Sequence, residues 1–142
     1  MDGIVTMTTS TKSIGVAFED QNIIGSDFVL AGGQLGYSTD AQGAVTQLTS
    51  KSTGVTLNKS CGQITMNNAA LAATTNVTFT LTNSAISLRD VLVLNVSGGT
   101  TGSYNAWVSE LALGSASITV RNITGGSLSE AIVINYAIIH GQ

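Results

Sequence analysis

The stretch Ser115-Ala-Ser-Ile-Thr-Val-Arg-Asn-Ile-Thr-Gly-Gly-Ser-Leu-Ser-Glu-Ala-Ile-Val-Ile-Asn-Tyr-Ala-Ile-Ile139 sets the fold class. Two β-branched runs flank a Gly-Gly-Ser corner. Such residues suit a pleated, half-buried surface better than a helix. In the second run Ile132, Ile134, Tyr136 and Ile138 share one face, and Val133, Asn135, Ala137 and Ile139 share the other. Apart from Asn135, both faces are apolar, which predicts a strand at a sheet centre, covered on both sides. The Gly125-Gly126-Ser127 corner is expected to aim this strand rather than bind a ligand.

Outward from there, the same signal recurs. Asn76-Val-Thr-Phe-Thr-Leu-Thr82 alternates strictly, with Val77, Phe79 and Leu81 on one face and threonines on the other. That is the pattern of a strand buried on one side. Val91-Leu-Val-Leu-Asn-Val96 is continuously apolar and predicts another central strand. Tyr104 to Leu111, Ala44 to Leu48, Val55 to Leu57 and Gln63 to Met66 complete about eight short strands, with turn clusters such as Ser50–Gly54 and Ser97–Gly102 between them. Asn67 to Thr75 is expected to be a loop that presses Leu71 inward. No helical stripe persists beyond one turn. The expected fold is all-β: an antiparallel β-sandwich, jelly-roll or Ig-like, over residues 41–142.

Residues 1–40 differ from the rest. Short apolar pieces (Ile4, Val5, Ile14, Val16, Phe18, Ile23, Ile24, Phe28) alternate with polar turns, and five of the eight acidic residues fall here. This predicts an extended N-terminal arm with short hairpins, used for attachment. Its apolar residues, together with Trp107 and Tyr136, are the expected contact residues with a partner.

Composition narrows the function. Charged residues make up 9% of the 142, against about 25% in an average soluble protein. Proline is absent, so a standard device for protecting sheet edges is missing. A domain so short of charge is expected to cover part of its surface with copies of itself or with a partner. A net charge of −3 and five scattered cations argue against nucleic acid. No apolar run approaches the length of a spanning helix. The N-terminus has no basic region followed by an apolar core, and the single cysteine, Cys61, forms no intrachain disulfide, so synthesis in a reducing cytoplasm is expected.

No catalytic constellation stands out. His140, the one histidine, is expected to be a solvated tail residue, and Cys61 a packing residue. The glycine clusters Gly98–Gly102 and Gly32–Gly36 lack the lysine and following helix of a phosphate loop. Glu19, Asp20, Asn22 and Asp27 do not have EF-hand spacing. Asp90, Glu110 and Glu130 lie far apart in the chain and so leave a glycosidase pair open, but the aromatics Phe79, Trp107 and Tyr136 sit in strand patterns and are expected to pack in a core or interface rather than form a sugar platform. Four Asn-x-Ser/Thr triplets, at Asn58, Asn76, Asn95 and Asn122, follow from a chain rich in these residues. No enzyme activity, cofactor or metal is expected.

The run from Gly36-Tyr-Ser-Thr-Asp to Val55-Thr-Leu-Asn-Lys59, with Gly62-Gln-Ile-Thr-Met66, Phe79-Thr-Leu-Thr-Asn83 and Arg121 to Ile139, resembles virion structural proteins of tailed phages. The likeness spans roughly residues 36–140. It implies a non-enzymatic virion β-domain, most simply a capsid decoration (cement) protein on the outer head shell, acting as a homotrimer. Its partners would be itself and the major capsid protein or another virion protein, with no membrane. A head- or tail-fibre receptor-binding domain is the alternative.

Overall fold

The computed structural model describes residues 36–141, and the expected arm contacts at Ile4, Val5, Ile14, Val16, Phe18, Ile23, Ile24 and Phe28 lie outside them. The described body is all-β apart from a single 3-10 turn, Thr39–Ala41. The strands are β1 (Gln42–Thr46), β2 (Val55–Thr56), β3 (Cys61–Thr65), β4 (Ala70–Leu71), β5 (Asn76–Thr82), β6 (Val91–Gly98), β7 (Tyr104–Ala112), β8 (Ser115–Asn122), β9 (Leu128–Ser129) and β10 (Val133–Ile139). They form two four-stranded sheets. Sheet A has the order β1-β3-β10-β6 and sheet B the order β2-β5-β8-β7, while β4 and β9 pair as a small ribbon.

One core lies between the sheets. Ile64, Ile134, Tyr136, Ile138 and Leu92 from sheet A join Phe79, Leu81, Ile118, Val120 and Ala116 from sheet B in a single buried cluster. The arrangement is consistent with a β-sandwich. Alternation drives it: in β5, Phe79 and Leu81 are buried while Asn76, Thr78, Thr80 and Thr82 are exposed. In β10, Ile134, Tyr136 and Ile138 point inward. Leu71 is buried at the ribbon, as its Ala-rich surroundings suggested.

Antiparallel sheets were expected, but each sheet is mixed. β1 runs parallel to β3, and β2 parallel to β5, while the remaining pairs within these sheets are antiparallel. The cause is the route of the chain. It passes from β1 in sheet A to β2 in sheet B and back to β3 beside β1, so the chain reverses twice before it pairs. The same happens from β2 through β3 to β5. Strand spacing reports where strands lie but not whether consecutive ones share a sheet.

Two glycines permit a close approach at one edge of the core. Gly43 and Gly62 are register partners at the edge of sheet A. A Cβ on Gly62 would come within 2.7 Å of the Gly43 carbonyl oxygen, 2.8 Å of Leu57 and 3.2 Å of the Tyr136 ring. Their bare backbones leave the space that Leu57 and Tyr136 fill.

Buried polar groups close the ends. Asn83 Nδ2 donates to the Lys59 carbonyl (2.8 Å) and to Tyr136 Oη (3.3 Å), while its Oδ1 accepts from Ala85 N (3.0 Å). Asn122 Nδ2 donates to the carbonyls of Leu71 (2.9 Å) and Gly126 (2.8 Å), and its Oδ1 accepts from Thr124 N (2.9 Å). Each asparagine follows or ends a strand of sheet B and ties loop carbonyls to it, sharing them with the hydroxyls of Tyr136, Ser127 and Thr124.

Candidate interaction surface

The chemistry-bearing side chains are dispersed. Asp90 is buried just before β6. It accepts hydrogen bonds from Ser87 N (2.8 Å) and Gly141 N (3.2 Å), and its Oδ2 lies 3.1 Å from His140 Nδ1. The Ser87 amide, helped by His140 and Gly141, holds its carboxyl below the usual range. His140 is therefore not a free tail residue. Its ring is 49% exposed, yet it clasps the chain after β10 to the start of β6. These residues lie 50 positions apart, so no local pattern marks the pairing.

Glu130 sits at the other end of β6. Its Oε1 accepts from Thr100 N (2.9 Å) and Tyr104 Oη (2.7 Å). These bonds depress the Glu130 pKa. Burial, with the neighbouring carboxylate, pushes the Tyr104 hydroxyl well above the ordinary phenol range. Between the two carboxylates runs the whole of β6, eight residues long, or on the order of 25 Å of strand. Glu110 stands elsewhere, exposed on β7. A glycosidase pair needs carboxyls roughly 5–10 Å apart, so Asp90 and Glu130 do not form one.

Lys51, in what the sequence presents as a turn cluster, is buried. Its Nζ donates to the carbonyls of Asn67 and Glu130, each at 2.6 Å. Burial lowers its pKa, partly offset by the Glu130 charge. It ties the 47–53 loop to two other loops, and a lysine in a Ser/Thr/Gly turn gives no hint of that. Among the described residues no group of three or more His, Cys, Asp or Glu side chains could hold a metal ion, and no helix is long and apolar enough to cross a membrane.

The two expected contact residues within the described body part company. Tyr136 is only 3% exposed; it lies in the core, its hydroxyl donating to the Lys59 carbonyl (3.0 Å). Burial pushes its pKa up to about 12. It is a packing residue and not a contact, because β10 is central and its even-numbered positions face inward. Trp107 does lie at the surface, 39% exposed.

The outer faces supply the feature that sequence reading missed. Strand β6 was expected to be central and covered on both faces, yet among the described residues it is an edge of sheet A. Its outward residues Val91 and Val93 are 57% and 50% exposed. They stand directly opposite Ile139, itself 57% exposed, and Ala137. The Val93–Ala137 rung continues through Cys61 to Gln42, and the next outward rung presents Asn95, Asn135, Gln63 and Ala44. Every outward side chain of sheet A is uncharged. A hollow lined by Gln42, Cys61, Gln63 and Asn135 lies over the paired glycines.

Sheet B presents a different surface. Thr78 and Thr119 hydroxyls lie 2.8 Å apart, Thr119 Oγ1 donates to Ser109 Oγ (2.9 Å), and Ser109 Oγ to the Ser117 carbonyl (3.2 Å). Ser109 is the extra residue of a bulge in β7. Trp107 stands opposite Thr119 on this face, with Arg121 and Glu110 on flanking rungs. No protein-family model, curated protein or solved structure matches this chain.

Proposed function

We propose that this chain is a non-enzymatic structural protein of a tailed-phage virion, a capsid decoration protein that binds the outer head shell as a trimer and stabilises it. The observation that carries this reading is the uncharged outer face of sheet A, with three large aliphatic side chains at least half exposed. Such a face suits a protein that spends its working life against other subunits. In this reading the body is a sandwich with Ig-like or jelly-roll connections, and residues 1–40 form the attachment arm. Stabilisation follows from linkage: a ligand of the assembled shell alone, at about 100 times its Kd, adds about 2.7 kcal/mol per site.

A second reading, a fibre-borne receptor-binding domain, draws on Trp107 standing exposed among hydroxyls on sheet B. An aromatic ring beside hydroxyl and amide groups is suited to an amphipathic ligand such as a sugar. Copy number separates the two. Quantitative mass spectrometry of purified virions is expected to find copies that scale with the major capsid protein, and particles lacking the chain are expected to lose heat and osmotic resistance. A few copies per virion would favour the fibre reading, and full resistance without the chain would remove decoration.

A further inference from the structure

We infer that a second copy of this chain docks on the β6 margin of sheet A, over Val91, Val93 and Ile139. The inference rests on the self-association in the reading above and assigns it a surface.

Three observations support it. The first is the strip itself: Val91 faces Ile139 and Val93 faces Ala137 in direct register, so these aliphatic groups form one contiguous strip, whereas Leu48, Leu113 and Ile123 are exposed singly in other parts of the chain. The second is the edge. Among the described residues no strand pairs with the outer side of β6. The segment Val91-Leu-Val-Leu-Asn-Val96 holds neither charge nor proline and is regular against β10. Two of the other edges are blunted, β2 by its length of two residues and β7 by the Ser109 bulge and Glu110, while β1 is shorter than β6, at five residues against eight. An open, apolar edge, bulged only at its far end by Ser97, is a template for another chain. The third is charge complementarity. A charged partner would bury its charge against a face with nothing to pair it, at a large desolvation cost. A copy of this chain brings an equally uncharged face and edge, so neither side leaves a charge stranded, and symmetry multiplies the contact.

The test uses the full chain. Light scattering at micromolar concentration is expected to give a dimer or trimer of the 14.5 kDa chain. Val93→Lys and Ile139→Lys, each on an exposed position, are expected to weaken that assembly at least about tenfold by placing a charge in the contact. Thr78→Lys on sheet B is expected to leave the mass unchanged. A monomeric wild type overturns the inference, and so does a Val93→Lys protein that assembles like wild type, the outcome if the strip serves any other occupant. Should the lysine variants fail to fold, amide exchange of wild-type residues 91–96 decides. Slower exchange in the assembled than in the dilute protein supports the inference, and equal exchange overturns it. A dimer would keep this surface but remove the trimer from the reading above. Virions decorated at wild-type copy number by a Val93→Lys chain that is monomeric in solution would keep both this surface and the decoration role.

Discussion

The two outer faces are built on the same alternation, yet they differ in what they leave at the surface. Sheet B turns threonines and serines outward and satisfies them among themselves, through Thr78, Thr119, Ser109 and the Ser117 carbonyl. Sheet A turns out Val91, Val93, Ala137 and Ile139 beside uncharged amides. Water solvates the first face without penalty. On the second, roughly 25 cal/mol per Å² of apolar area is available to whatever covers it. An inward-facing residue is set by the core the two sheets share, so the outward residues are where the sheets are free to diverge in function.

The comparison can be broken from behind. Ile134 lies under sheet A in the common core, and Ile134→Ala is expected to cost about 2–5 kcal/mol in urea unfolding. Val93→Ala, one strand away on the outward face, is expected to cost under about 0.5 kcal/mol in dilute protein. Equal costs would mean that Val93 is a core residue. Next in size is Asn122→Ala, which removes a fully buried amide with its bonds to the Leu71 and Gly126 carbonyls and to Thr124 N and is expected to cost about 1–3 kcal/mol. On sheet B, Thr119→Val removes a hydroxyl that joins Thr78 to Ser109, with an expected loss of about 1 kcal/mol. No loss there would show that the hydroxyl chain is ornamental to stability.

Acid is expected to act through the ends of β6 and not through either face. Asp90 and Glu130 have folded pKa values below their ordinary ones of 3.8 and 4.5. The stabilisation they provide is thus complete above those ordinary values and is lost as pH falls through the folded ones. Urea midpoints should be flat near neutrality and drop below about pH 4. Asp90→Asn should flatten that drop, and an unchanged slope would remove the clasp of Asp90 with His140 from the account.

Much of the fold was legible. The strict alternation of residues 76–82 marks a half-buried strand, and the alternation ending at Ile139 marks one whose inward side is Ile134, Tyr136 and Ile138, because both are local consequences of a two-residue period. Pairing is non-local and was not legible. An apolar run such as Val91–Val96 looks the same at a sheet centre as at an edge that meets another molecule. Parallel pairs β1–β3 and β2–β5 depend on which sheet each intervening strand joins. The clasp of His140 to Asp90, and Lys51 reaching two distant carbonyls, join residues that no motif links. The proposed contact surface was legible only as a need, through the shortage of charge; proposing its place required the register of β6 against β10.

Covalent footprinting of the full chain, from dilute to assembled concentrations, compares the faces most directly. Labelling of Val91, Val93 and Ile139 is expected to fall several-fold on assembly while Trp107 stays unchanged. Equal labelling of the aliphatic strip in both states, or protection at Trp107 in its place, would contradict the assignment of sheet A as the surface that other subunits cover.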